Sequence, residues 1–250
     1  MPGQFFFSSR SAQWLFFVVS AAFVALGVHF GLERPWFGAA MLILLGLALL
    51  KRTSERRRAR RLLTSGNVAI VLEAWHDALK RVPHAETMRP LVVATLLAAH
   101  GMVDKARVVL GRAKRGHAWE AALEHRLVVE TLIDAFEGER ERAVGHAQRL
   151  AELPMLPANP WMHERIKGLR RAVLAFAKSF AHESEPTDIL ALQRAAGANP
   201  LVHWPMRYAA AVAYLDHGQP EKAEELLVGA PDWPEESVFH HFHRELMARV

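Results

Sequence analysis

Two apolar runs near the N-terminus constrain this 250-residue chain more than any other feature. Gln13 to Leu32 is almost wholly apolar, with His29 its one ionisable residue, and Trp36 to Leu50 carries no charge. Glu33-Arg34-Pro35 separates them. The first run has 20 residues, and as a helix it rises about 30 Å, the thickness of a bilayer's hydrocarbon core. In that medium the backbone must satisfy its own hydrogen bonds, which a helix does. The second run has 15 residues; snorkelling flanks or local thinning of the bilayer can make up the shortfall. Trp14 and Trp36 lie near the run ends, where aromatic belts form. Gly27, Gly31, Gly38 and Gly46 offer points of close helix contact. A signal peptide has a basic start and a shorter apolar core. Here Phe5-Phe6-Phe7 precedes the first Arg and a second apolar run follows. The pattern predicts a transmembrane helical hairpin over residues 1–50.

A basic juxtamembrane segment is expected over residues 51–64. Lys51, Arg52, Arg56, Arg57, Arg58, Arg60 and Arg61 make seven of eleven residues basic. The positive-inside rule puts this end in the cytoplasm. Two spans then return the N-terminus to the same side, so both termini are expected to be cytoplasmic. The basic residues are read as the topology determinant, lying against anionic lipid.

The net charge of +5 divides unevenly. Residues 1–61 hold nine Lys/Arg and two Asp/Glu, whereas residues 62–250 hold 22 and 24. The larger part therefore lacks the positive field that attracts nucleic acid, and no nucleic-acid partner is expected. The absence of Cys excludes disulfides, thiolate nucleophiles and Cys-ligated zinc. Hydrophobic residues make up 51% of the chain, and the predominance of Ala and Leu without Gly- or Ser-rich tracts points to helices.

Residues 65–250 show internal repetition. Leu96-Leu97-Ala98-Ala99-His100-Gly101-Met102-Val103-Asp104-Lys105-Ala106 aligns with Ala213-Tyr214-Leu215-Asp216-His217-Gly218-Gln219-Pro220-Glu221-Lys222-Ala223. Weaker copies begin at Gly138, with Ala143 five residues on, and at Gly66, with Val71. Gly66, Gly101, Gly138 and Gly218 are expected to end one helix in the left-handed conformation. Ala106, Ala143 and Ala223 then let the next helix pack closely. Leu110, Leu227 and Trp75 stand nine residues past their glycines, with Ala113, Ala230 and Ala78 three further on, giving one apolar face.

This pattern resembles the tetratricopeptide repeat, whose helix-turn-helix unit has a Gly in the turn, an Ala five later, a large apolar residue four after that, a further Ala and a closing Pro. The unit from Gly66 matches through Trp75, Ala78 and Pro83, and the unit from Gly218 through Ala223, Leu227 and Ala230. The family's small and aromatic first-helix positions fall on Ala211 and Tyr214, and on Ala94 and Leu97. The resemblance implies an all-α solenoid of helix hairpins over residues 65–250. The glycines are 35, 37 and 80 residues apart, against a family period of about 34. The long gap is expected to hide one unit, with Trp161–His182 as its first helix and Pro186–Ala196 as its second. Residues 118–136 are expected to form another long first helix. Pro83, Pro154, Pro157, Pro160, Pro200, Pro231 and Pro234 are expected between helices. Glu235 to Val250 is expected to be a last helix capping the array.

Chemistry is harder to find. Glu236, His240 and His243 share one helical face at i, i+4 and i+7, a set that suits zinc, although a surface helix with its Phe side inward accounts for the same residues. His100 and His217 repeat one position at a helix C-terminus, where a polar ring suits the dipole. Trp75, Trp119, Trp161, Trp204 and Trp233 read as inter-helix core, with one or two lining a peptide groove as the alternative. No phosphate loop and no Ser-His-Asp set stands out. The sequence reads as a non-enzyme with no cofactor, no bound metal and no small-molecule substrate. The expected role is a protein-interaction adaptor on the cytoplasmic face of a bacterial inner membrane, its partners being the bilayer and other membrane-associated proteins. A structural subunit of a membrane assembly and a His-based metal enzyme are the alternatives.

Overall fold

The computed structural model describes residues 35–155 and 159–250. The first apolar run, Gln13 to Leu32, lies outside them. The chain divides into two compact units, residues 1–59 and 60–250. The fold is all-α: every regular element among the described residues is a helix.

Helix α1 (Pro35–Thr64) runs without a break through the second apolar run and the basic segment. Leu42, Ile43, Leu44, Leu45, Leu47, Leu49 and Leu50 are each more than half exposed, and they cover every side of the helix. All seven basic residues from Lys51 to Arg61 are exposed as well. Among the described residues, no helix is long and apolar enough to cross a membrane. The apolar part of α1 rises only about 22 Å before Lys51.

The larger unit is built from helix pairs. Its elements are α2 (Val68–Lys80), α3 (Ala85–Ala99), α4 (Val103–Ala113), α5 (Leu123–Phe136), α6 (Arg140–Glu152), α7 (Pro160–Phe180), α8 (Pro186–Ala198), α9 (His203–Asp216), α10 (Pro220–Leu227) and α11 (Val238–Met247). A 3₁₀ turn (Pro200–Val202) precedes α9. Helices α3/α4, α5/α6, α7/α8 and α9/α10 form hairpins, and the first helices α3, α5, α7 and α9 pack successively on one another. Local chemistry sets the starts. Asn67 accepts from Ile70 N–H at 3.3 Å. Asn159 accepts from Met162 N–H at 2.8 Å, with Pro160 in the first helical position.

The ends repeat one motif. Gly101 (φ 73°), Gly138 (φ 80°) and Gly218 (φ 70°) are left-handed, and so is His182 (φ 61°). At each, two backbone bonds close the helix. Met102 N–H donates to Leu97 O and Gly101 N–H to Ala98 O; Glu139 to Asp134 and Gly138 to Ala135. Glu183 donates to Lys178 and His182 to Ser179; Gln219 to Tyr214 and Gly218 to Leu215. These are Schellman closures, which satisfy carbonyls a helix end leaves open. Gly66 is also left-handed, at φ 77°. Ala106, Ala143 and Ala223 are fully buried on the facing helices, as is Val71 on α2.

Three expectations change. Helix α5 starts at Leu123, not at residue 118. Gly116 lies against Thr87, whose Oγ1 accepts from Ala118 N–H at 3.3 Å, so the approach is tied to α3 as a turn. Trp161 is 62% exposed with the Arg165 guanidinium 4.7 Å over its ring, whereas Trp204 and Trp233 are core and Trp75 and Trp119 half-buried. The last helix does more than cover α10. The chain turns back after α10, and α11 lies against the ends of α3, α5 and α7 and the middle of α9. Phe239 needs burial, and the deepest apolar ground is there, between Phe136, Tyr208 and Trp233.

Candidate interaction surface at the helix-turn edge

The return of the C-terminal segment fixes this surface. Ser237 Oγ donates to His100 O at 2.7 Å and accepts from Phe239 N–H at 3.2 Å, and Val238 N–H donates to Gly101 O at 2.9 Å. Lys105 and Glu236 pair at 2.6 Å. Farther back, Trp204 Nε1 donates to Thr64 O at 2.9 Å, and Gly66 lies against Pro231 and Trp233. Segments more than 130 residues apart are thus joined by hydrogen bonds. His100 is buried, with Nδ1 2.8 Å from Leu96 O and, among the described residues, no hydrogen-bond partner at Nε2. Desolvation lowers its pKa, only partly offset by the carbonyls of Leu96 and Leu63. Tyr208 is fully buried and its hydroxyl accepts from Trp233 Nε1 at 2.8 Å. Burial raises its pKa far above the ordinary phenol value.

Beside α11 a cavity of about 360 Å³ opens where three hairpin turns meet. Phe136, Phe180 and Phe242 form its floor. Phe180 stands edge-on to Phe136, with centroids 5.3 Å apart, and lies 5.5 Å from Phe242. Gly138, His182 and Asp216 bring in the turns, and Arg140, Glu245 and Arg249 stand around the mouth. Nδ1 of His182 is 3.0 Å from both carboxylate oxygens of Asp216.

The histidine-rich face of α11 does not converge. His240 Nδ1 bonds Trp233 O at 2.9 Å, His243 Nδ1 is 3.3 Å from Tyr208 Oη, and Glu236 turns to Lys105. Among the described residues no group of three or more His, Cys, Asp or Glu is placed to hold a metal ion. His217 reaches a carbonyl of the neighbouring hairpin, Ser184 O, at 3.1 Å. Tyr214 accepts from Gln193 Nε2 at 3.2 Å with Lys222 over its ring, and Leu227 is buried.

A charged cluster went unread in the sequence. Asp134, nearly buried on α5, faces Arg107 of α4 at 3.3 Å and, from α6, Arg142 at 3.8 Å and His146 at 3.1 Å. Arg107 also pairs with Glu137. Burial pushes the Asp134 carboxyl up, but His146 and the two arginines together hold it below its ordinary value. Contact with Asp134 in turn raises His146, against the cost of burial. His146 meets Asp134 as a charge pair, off the line of a hydrogen bond. The readable signal was Asp134 inside the apolar stretch Leu132 to Phe136, a place where an acid needs a partner.

Comparison of the chain with protein-family models, with curated proteins and with solved structures finds no match.

Proposed function

We propose that this chain is a membrane-anchored adaptor, a tetratricopeptide-like solenoid of helix hairpins tethered by its N-terminal apolar segment and binding other proteins at the membrane. The observation that carries the reading is α1. A helix apolar on every side is stable only inside a protein core or in lipid, and here those side chains are exposed. The same helix passes directly into seven basic residues set around its circumference, which fits a helix leaving the bilayer at the cytoplasmic face. The first apolar run would complete a two-span anchor at a bacterial inner membrane, with both termini inside.

The hairpin unit supports the second half of the proposal. The left-handed residues that follow α1, α3, α5, α7 and α9, at 66, 101, 138, 182 and 218, lie 35, 37, 44 and 36 apart, near the period of about 34 expected for the repeat; His84 and Gly229 are left-handed outside this series. Such arrays usually bind partners on the inner face of the first helices. Here α11 seats on the turn ends of α3, α5 and α7 instead, and docking is assigned to the surface it completes there.

The test is purification of the intact chain in mild detergent. The adaptor reading expects the chain in the membrane fraction, released by detergent with a stoichiometric protein partner. A chain that is freely soluble, or that is extracted alone, contradicts it. The exposed leucines of α1 also fit a second reading, a structural subunit whose apolar helix contacts other membrane helices. Partner contacts confined to residues 36–50 favour that one.

A further inference from the structure

We infer that the cavity at the turn edge, walled by His182, Arg140 and Arg249 over a floor of Phe136, Phe180 and Phe242, seats one large apolar side chain of an acidic partner segment. The inference rests on the adaptor reading and names the docking site it lacks.

The backbone gives the first reason. Three of the four Schellman closures use Gly, and the fourth uses His182 at φ 61°. A residue with a Cβ is strained there and glycine is not. Strain of this kind persists where the side chain has work to do. His182 lines the cavity, and Asp216, from the end of α9, holds its ring through Nδ1. The ring is therefore fixed in the wall and its Nε2 has no partner among the described residues.

The floor gives the second. Phe176 and Phe239 of the same aromatic cluster are fully buried, whereas Phe136, Phe180 and Phe242 are only half-buried. All three line the cavity. A volume of about 360 Å³ lies at the small end for ligand sites. It suits one aromatic or large aliphatic group better than a cofactor.

Charge gives the third. Arg140 and Arg249 are exposed and have no carboxylate partner among the described residues, and the Asp216 carboxylate is engaged by the His182 ring. Of the two acids that line the cavity, Asp216 faces His182 and Glu245 has no basic partner among the described residues. The mouth thus offers two unpaired guanidiniums against one unpaired carboxylate, and complementary charge selects and orients an acidic segment. Because the mouth is open and its residues exposed, a chain can pass across it with one side chain inserted.

The experiment uses the full chain in detergent and a fluorescein-labelled peptide with one Trp flanked by Asp and Glu, followed by anisotropy. Saturable binding is expected. Trp→Ala in the peptide, or Lys for its acids, should weaken it at least about tenfold. His182→Gly and Arg249→Glu should each weaken it by about as much, with thermal midpoints no lower than the parent's. No saturable binding, equal binding of acidic and lysine peptides, or unchanged binding by both variants overturns the inference. The two readings separate in a pull-down. If both variants still capture the native partner in full, the cavity is not its site and the adaptor stands. If the peptide binds as described but no protein co-purifies, the site stands and the adaptor reading fails.

Discussion

The turns at Gly101 and His182 share one backbone and differ in what rests on them. At Gly101 the returning segment lies so close that a Cβ would stand 2.5 Å from Ser237 Oγ and 3.0 Å from Phe239. Glycine is needed there twice, for its left-handed φ and for the space. At Gly138 and Gly218 a Cβ would meet nothing within 4 Å, so only φ asks for glycine. At His182 even that request is overridden, and a ring fills the position beside an open cavity. The hairpin sets the conformation; the tertiary neighbour sets the residue.

Substitutions at these positions should rank accordingly, read as unfolding of the full chain in detergent. Gly101→Ala should cost most, about 2–4 kcal/mol, since strain adds to a clash inside the core. Ser237→Ala should cost about 1–2 kcal/mol, because it removes a helix cap and leaves His100 O unpaired in the interior. Combining the two should cost less than their sum, since the alanine at 237 relieves part of the clash. An additive double variant would break the claim that the Cβ–Ser237 contact is what forbids alanine. Gly138→Ala and Gly218→Ala should each cost only about 1 kcal/mol, the price of left-handed φ alone. If either matches Gly101→Ala, space is not the difference between the turns.

The Asp134 cluster should respond to pH rather than to space. His146 is raised, so its contribution is fully present below its ordinary value and fades as pH rises through the raised one. His146→Gln should therefore lower stability near pH 6 by at most about 1 kcal/mol and have little effect at pH 9. Equal effects at both pH values would show that packing, not charge, is what His146 supplies. The smallest effect is at the fourth turn. His182→Gly should leave stability unchanged or raise it by up to about 1 kcal/mol, because relieved strain outweighs a part-exposed ion pair. A loss comparable to that of Gly138→Ala would mean that the His182–Asp216 pair holds the fold.

The sequence reveals the turns more readily than the tertiary return. The hidden unit between Gly138 and Gly218 is found at α7 (Pro160–Phe180) and α8 (Pro186–Ala198), close to the helices read from residues 161–182 and 186–196. Its turn escaped notice because His182 stands where the pattern asks for glycine. Helix α11 was legible from Phe239 and Leu246, since periodicity says that a face is buried. It does not say against what, and the turn ends of α3, α5 and α7 could not be told from the end of the array. The cavity followed the same rule: Phe136, Phe180 and Phe242 lie on three different helices, and only α11 brings Phe242 to the other two. The edge of α5 was misplaced because a contact 31 residues away, Thr87 with Ala118, overrides local helix preference.

Cross-linking in native membranes, with the full chain at its natural abundance, tests the whole account most directly. Cross-links from residues 60–250 to one other protein, clustered near Arg140, His182 and Arg249, are the expected result. Links concentrated on residues 36–50, or recovery of the chain from the soluble fraction with no cross-linked protein, would contradict an anchored adaptor.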